Sequence, residues 1–161
     1  MPYRKADSPL YIELHKYLFP PENDAYGDLN RFFDNIHSQA LTLELQGHKI
    51  CTLSHTDHLL YLICHAWKHF LHSGFGIRQV CDIVMYANTY GKEVDWQKMY
   101  KNCCEIHAEL FAAALFKIGQ KYLTFDPEKA AFPTVWQQLE VDEQPMLEDL
   151  LSSGVYGGST M

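Results

Sequence analysis

Apolar and polar positions alternate from Leu10 to Tyr17, with Leu10, Ile12 and Leu14 on one side and Tyr11, Glu13 and His15 on the other. This is the period of a strand, and it carries a carboxylate. Pro20-Pro21 ends the run, and Asp28 to Ile36 then reads as a short helix burying Leu29, Phe32, Phe33 and Ile36. Two further alternating runs, Leu41 to Leu45 and His48 to Leu53, flank Gln46-Gly47 and predict a tight hairpin. From Ser54 the period lengthens to that of a helix. Ser54 with Asp57 resembles a capping box, and Ser73-Gly74 supplies a stop. A second helix is expected from Ile77 to Tyr90, ending at Gly91, with Arg78 and Asp82 spaced as a structural i,i+4 pair. Asp95 caps a third helical run from Trp96 to Leu123, broken near His107. Asp126-Pro127 and Pro133 interrupt the tail before a last helix from Pro145 to Leu151 and a glycine-rich stretch from Gly154.

The pattern defines a mainly α chain: a helical bundle with a small N-terminal β element, one strand plus a hairpin. Residues 1–53 hold the β element and its short helix, and 54–161 the helical domain. A strand and a hairpin make a poor sheet alone. Either they pack on the bundle, or they are the remnant of a larger α/β core whose other strands lie outside this chain. Phe32, Phe33, Trp67, Phe70, Phe111, Phe116, Tyr122 and Trp136 recur among apolar neighbours and are expected in the core.

Composition narrows the function classes. The 161 residues are 47% hydrophobic and 14% aromatic, enough for a sizeable core. Thirteen basic against twenty acidic residues give a net charge of −7, without a Lys/Arg run to follow a phosphate backbone, so nucleic-acid binding is disfavoured. No apolar signal core opens the chain and no uninterrupted apolar stretch is long enough to span a bilayer; the expectation is a cytoplasmic protein without a membrane partner. Cysteines at 51, 64, 81, 103 and 104 are odd in number and lack CxxC spacing, which fits reduced, structural thiols.

The candidate chemistry lies on the first long helix. At about 100° per residue, His58, His65, His69 and His72 fall within roughly 60° of one another, and His55 begins the same stripe. Imidazole nitrogens need partners, so the stripe faces a cleft, a polar network or a ligand. The i,i+4 pair His65/His69 and the i,i+3 pair His69/His72 could direct two imidazoles at a Zn²⁺ ion. Lys68, between them, could neutralise a phosphate. His55 and His72 are expected to face solvent. With nine histidines, no Ser-His-Asp or Cys-His set can be assigned.

Together, Ile12-Glu13-Leu14-His15 on a strand, Asp57-His58-Leu59-Leu60, His65-Ala66 and Lys68-His69 on one helix, and Arg78 to Asp82 on the next resemble the second half of a family of uncharacterised bacterial nucleotidyltransferases in the DNA polymerase beta-like superfamily. Val94-Asp95-Trp96 and the late Gly154-Val155-Tyr156-Gly157 extend the resemblance over most of the chain. It implies an N-terminal α/β core followed by a helical domain covering the active site. It also implies a nucleoside triphosphate, Mg²⁺, and transfer of a nucleotidyl group to an acceptor hydroxyl. The catalytic pattern of that superfamily is a Gly-Ser or Gly-Gly turn, an Asp-x-Asp pair and a third carboxylate on a later strand. Glu13 matches the third carboxylate, as catalytic residue and metal ligand, because magnesium ions at phosphoryl oxygens need hard anionic oxygens. By the same resemblance His58, His65, Lys68 and His69 lie near the nucleotide or acceptor, and Arg78 joins them if it faces the His58 side.

The sequence departs from that pattern at the acidic pair. Twelve residues precede Glu13, and no Asp-x-Asp occurs anywhere. Glu22-Asn23-Asp24 sits in a Pro-flanked loop, and Glu140-Val141-Asp142 has no upstream glycine turn. The expectation is a fragment that does not catalyse nucleotidyl transfer alone and that pairs with a separate N-terminal catalytic half or a second copy of itself. The competing readings are a non-enzymatic helical interaction module and a histidine-rich metal-binding domain.

Overall fold

The structure, a computed structural model, describes residues 2–3, 9–72 and 74–154, and the side chains of all of these except 2–3. The glycine-rich match beyond Gly154, and Ser73, lie outside the described residues. The chain forms two compact units, Met1–Asp34 and Asn35–Met161. The division falls between Asp34 and Asn35, so the hairpin belongs to the same unit as the helices.

In the first unit, β1 (Pro2–Tyr3) pairs antiparallel with β2 (Ile12–Glu13). The strand expected over Leu10 to Tyr17 is thus two residues long. Only β1 pairs with it among the described residues, and a backbone with no further ladder partner leaves the extended pattern. Leu10, Tyr11, Ile12, Leu14 and Tyr17 all stay exposed. Phe19, Tyr26, Leu29 and Phe33 are the buried residues of this unit among those described. Asn30 fixes their loop: its side chain accepts from the Phe19 N–H at 3.0 Å and donates to the Phe19 carbonyl at 3.1 Å. The expected helix over 28–36 is a 3₁₀ turn, Leu29–Phe33, capped by Asp28, followed by the single turn α1 (Ile36–Gln39). Phe32 and Ile36 are half-buried rather than core.

The second unit begins with α1 and the predicted hairpin. β3 (Leu41–Leu45) pairs with β4 (His48–Thr52), Leu43 opposite Ile50 and Glu44 opposite Lys49. Gln46 and Gly47 both have positive φ, as a two-residue turn matched to strand twist requires. Directly opposed residues share a face. One face therefore carries Leu41, Leu43, Leu45 and Ile50, and the other Thr42, Glu44, Lys49 and Cys51.

Helices α2 (His55–His72), α3 (Ile77–Tyr90), α4 (Trp96–Glu105) and α5 (Glu109–Tyr122) build the core, with α6 (Thr134–Gln137) and α7 (Gln144–Ser152) completing the tail. The break near His107 is present, with that residue at φ 56°. α2 buries Leu59, Leu60, Ile63, Cys64 and Ala66, and α5 is buried from Phe111 to Phe116. Two aromatic groups fill the space: Trp67, Phe70, Phe75 and Phe111, and, further along the chain, Trp96, Phe116, Phe125, Phe132 and Trp136. Of the aromatic residues expected in the core, Trp67 is only half-buried, and Phe70 at the edge of the first group and Tyr122 at the end of α5 are exposed. All five cysteines are free thiols, and burial raises the Cys64 thiol to about 12.

Gly91 carries the tightest junction. Its carbonyl and that of Ala130 both accept the Trp96 indole N–H, at 2.9 and 3.1 Å, and a Cβ on Gly91 would overlap the Ala130 backbone. Because the obstacle is main chain, it cannot rotate away. Gly91→Ala is expected to destabilise the protein by about 1–3 kcal/mol. A urea melt with an unchanged midpoint would contradict this.

Candidate functional site

α2 carries most of the candidate residues, and its first turn is fixed from several directions. The Ser54 hydroxyl accepts the Asp57 N–H at 3.2 Å, half of the predicted capping box. The other half is absent: the Asp57 carboxylate turns inward, 2% exposed, and meets Lys98 Nζ of α4 at 3.2 Å. Thr56 Oγ1 accepts the Asp95 N–H at 2.9 Å. With the α2 backbone so held, the directions of its histidines are set.

The stripe divides into two groups. His55, expected in solvent, is part of a polar network: Nδ1 lies 2.9 Å from the Tyr86 hydroxyl and Nε2 lies 3.0 Å from Glu93 Oε2. Its ring stacks on Tyr90 with centroids 4.3 Å apart, and the His58 ring lies 4.4 Å from that of Tyr86. Burial first, and His55 second, lower the His58 pKa. Burial also raises the Tyr86 phenol to about 12, with Tyr90 and Glu93 adding to it.

His65 and His69 form the second group, about 10 Å further along the helix axis from His58 by the rise per residue. Their rings meet edge to face at 4.5 Å. Burial is the main reason both pKa values fall below the ordinary imidazole range, and the Lys68 ammonium pushes each in the same direction. Lys68 thus shares this stretch of α2 with two partly buried imidazoles, whose ring nitrogens can donate or accept. Lys68 is half-buried. Arg78 is exposed on the first turn of α3, and His72 is exposed as expected.

Glu13 belongs to the first unit. It is exposed on β2, with Oε2 3.4 Å from His15 Nε2. One carboxylate does not make a magnesium site, and among the described residues no group of three or more His, Cys, Asp or Glu could hold a metal ion. The residues described therefore do not by themselves fit the two-metal arrangement, nor complete a zinc site at His65 and His69. A separate cavity of about 180 Å³ lies between α5 and residues 132–141, lined by Phe116, Lys117, Trp136 and neighbours. It contains none of the expected site residues. Beside it Glu143, its carboxyl held at about 2 by Lys117 and Lys121, ties the C-terminal segment to α5.

Sequence reasoning missed Tyr86, Glu93, Asp57, Lys98 and Glu143 as partners. Tyr86 and Tyr90 are an i,i+4 pair, but nothing local ties them to a histidine thirty-one residues earlier. The buried Asp57 is equally silent, since its partner is forty-one residues away.

The chain belongs to the uncharacterised nucleotidyltransferase family, whose model matches residues 1–124. No curated protein and no solved structure matches the chain significantly. Among the described residues no helix is long and apolar enough to cross a membrane.

The depressed imidazoles make a stability prediction. His58, His65 and His69 all have folded pKa values below 6.5, so as pH falls the unfolded chain protonates first. Their contribution is complete above about pH 6.5 and is lost as pH falls through the lower folded values. The melting temperature is expected to drop between pH 7 and pH 5, and to drop less in His65→Gln/His69→Gln. Equal losses in both proteins would refute the assignment.

Proposed function

We propose that this chain is the helical domain of a nucleotidyltransferase together with the strand bearing its third carboxylate, acting on a nucleoside triphosphate and an acceptor hydroxyl. The observation that carries the reading is the His65–His69 ring pair, in contact at 4.5 Å on the same stretch of α2 as the half-buried Lys68, in a chain of this family. In this reading Lys68 meets the triphosphate, His65 and His69 supply hydrogen bonds to its oxygens, Arg78 adds charge and His58 borders the acceptor. Glu13 supplies one hard oxygen ligand for Mg²⁺. A second and third carboxylate are still needed for the two-metal chemistry of this reading.

The hairpin supports the same view. Leu43 and Leu45 keep more than half of their surface exposed and Ile50 nearly half, on one face of an isolated two-stranded ribbon. Such a face is expected to be covered by further strands of a catalytic core or by a second copy. It also favours the second reading, a non-enzymatic helical interaction module whose face is filled by a protein partner. Nucleotide binding separates the two.

Calorimetric titration of the metal-stripped chain with ATP or GTP plus Mg²⁺ tests the proposal. Saturable binding is expected, weakened about tenfold or more in Lys68→Ala, since one charge-assisted contact contributes roughly 1.5–3 kcal/mol. Binding is also expected to strengthen as pH falls and the imidazoles gain charge. Silence with both nucleotides would favour the interaction module, and saturable Zn²⁺ binding alone would return the stripe to a metal site.

A further inference from the structure

Apart from the Lys68 face, the Glu93–His55–Tyr86 chain is a hydroxyl, an imidazole and a carboxylate in hydrogen-bonded order. Tyr86 Oη lies 2.9 Å from His55 Nδ1, and His55 Nε2 lies 3.0 Å from Glu93 Oε2. Glu93 accepts only, so a ring proton on Nε2 pairs with it and leaves Nδ1 to accept from the phenol. Stacking on Tyr90 fixes the ring plane. A nucleophile, a base and a group that orients the base, all within hydrogen-bond reach, form the arrangement that activates hydroxyls in covalent catalysis.

We propose that Tyr86 is an activated hydroxyl that becomes modified at oxygen by an electrophilic phosphorus, with His55 as its base and Glu93 as a positioning residue. The donor class is a nucleoside triphosphate, a choice that rests on the nucleotidyl-transfer reading above. In that step Tyr86 Oη bonds to the α-phosphorus, the α–β bridging P–O bond breaks, and pyrophosphate leaves. The phenolic proton passes to His55 Nδ1, and Glu93 stabilises the imidazolium so formed. Burial keeps the phenol protonated at rest, so its reactivity depends on that transfer, and an exposed tyrosine without a base lacks it.

Diisopropyl fluorophosphate tests the nucleophile without any nucleotide. Oη displaces fluoride at phosphorus while the proton again goes to His55. Peptide mass spectrometry of the full chain should find the adduct at Tyr86 well before the exposed Tyr17 and Tyr122. His55→Gln should slow labelling roughly 10²-fold, the scale of a lost general base. Glu93→Gln, which keeps the hydrogen bond and removes the charge, should slow it less, flatten its pH profile and leave the circular dichroism unchanged. Labelling of Tyr86 no faster than Tyr122, or unaffected by Glu93→Gln in the folded protein, overturns the proposal. Failure of the nucleotidyl reading shows separately, in the calorimetry with ATP and GTP.

Discussion

The Asp57 carboxylate is withdrawn almost wholly from water, and a charge at that depth is costly unless it is paired. Lys98 supplies the pairing from α4, the Ser54 hydroxyl accepts the Asp57 amide N–H, and the Thr56 hydroxyl takes the N–H of Asp95, the residue that caps α4. These contacts pin the start of α2 and the start of α4 to each other. The rotation of α2 is therefore not free, and the side of the helix on which the histidines emerge follows from it. Removing one partner alone would leave the other charge without its counterpart, so the pair constrains geometry more strongly than its net contribution to stability suggests.

Given that rotation, α3 decides what the histidines become. Tyr86 and Tyr90 occupy successive turns of one face and meet the His55/His58 end of α2, where they absorb His55 into a hydrogen-bonded chain. The stripe, continuous in sequence, is thus interrupted by chemistry. One end is tied to phenols and a carboxylate; the other is a pair of imidazoles in edge-to-face contact, with Lys68 on the same stretch of helix. Partial burial favours the uncharged imidazole at both places, but Lys68 adds repulsion only at the second.

The helices were legible because their apolar period, caps and stops agree: Ser54 and Asp95 cap where expected, and the turn at His107 separates α4 from α5. The hairpin was legible from alternation around Gln46-Gly47. What failed was length and partnership. The Leu10 to Tyr17 pattern alternates correctly, yet alternation states only that a strand would have two faces; it does not provide the neighbour that completes the ladder. For the same reason the histidine stripe could be found, while its division at Tyr86 could not, since that depends on contacts between residues far apart in sequence. Asp57 was read as a cap residue because capping is local, and its pairing with Lys98 is not.

The family match ends at residue 124, but the helical unit does not. Phe125, Phe132 and Trp136 pack on Phe116 and on each other, and the Ala130 carbonyl takes half of the Trp96 indole bond. Further on, Lys117 donates to the Val141 carbonyl at 2.7 Å and joins Lys121 in pairing with the buried Glu143. Without the segment beyond 124, α5 would expose the aromatic face that these residues cover and Trp96 would lose one acceptor. The tail is therefore part of the core that supports α5, and through the α3–α5 contact at Gly119, where Val84 and Phe125 leave no room for a side chain, it bears on the helix carrying Tyr86. Packing, rather than the extent of the matched sequence, sets the limits of the unit that positions the site.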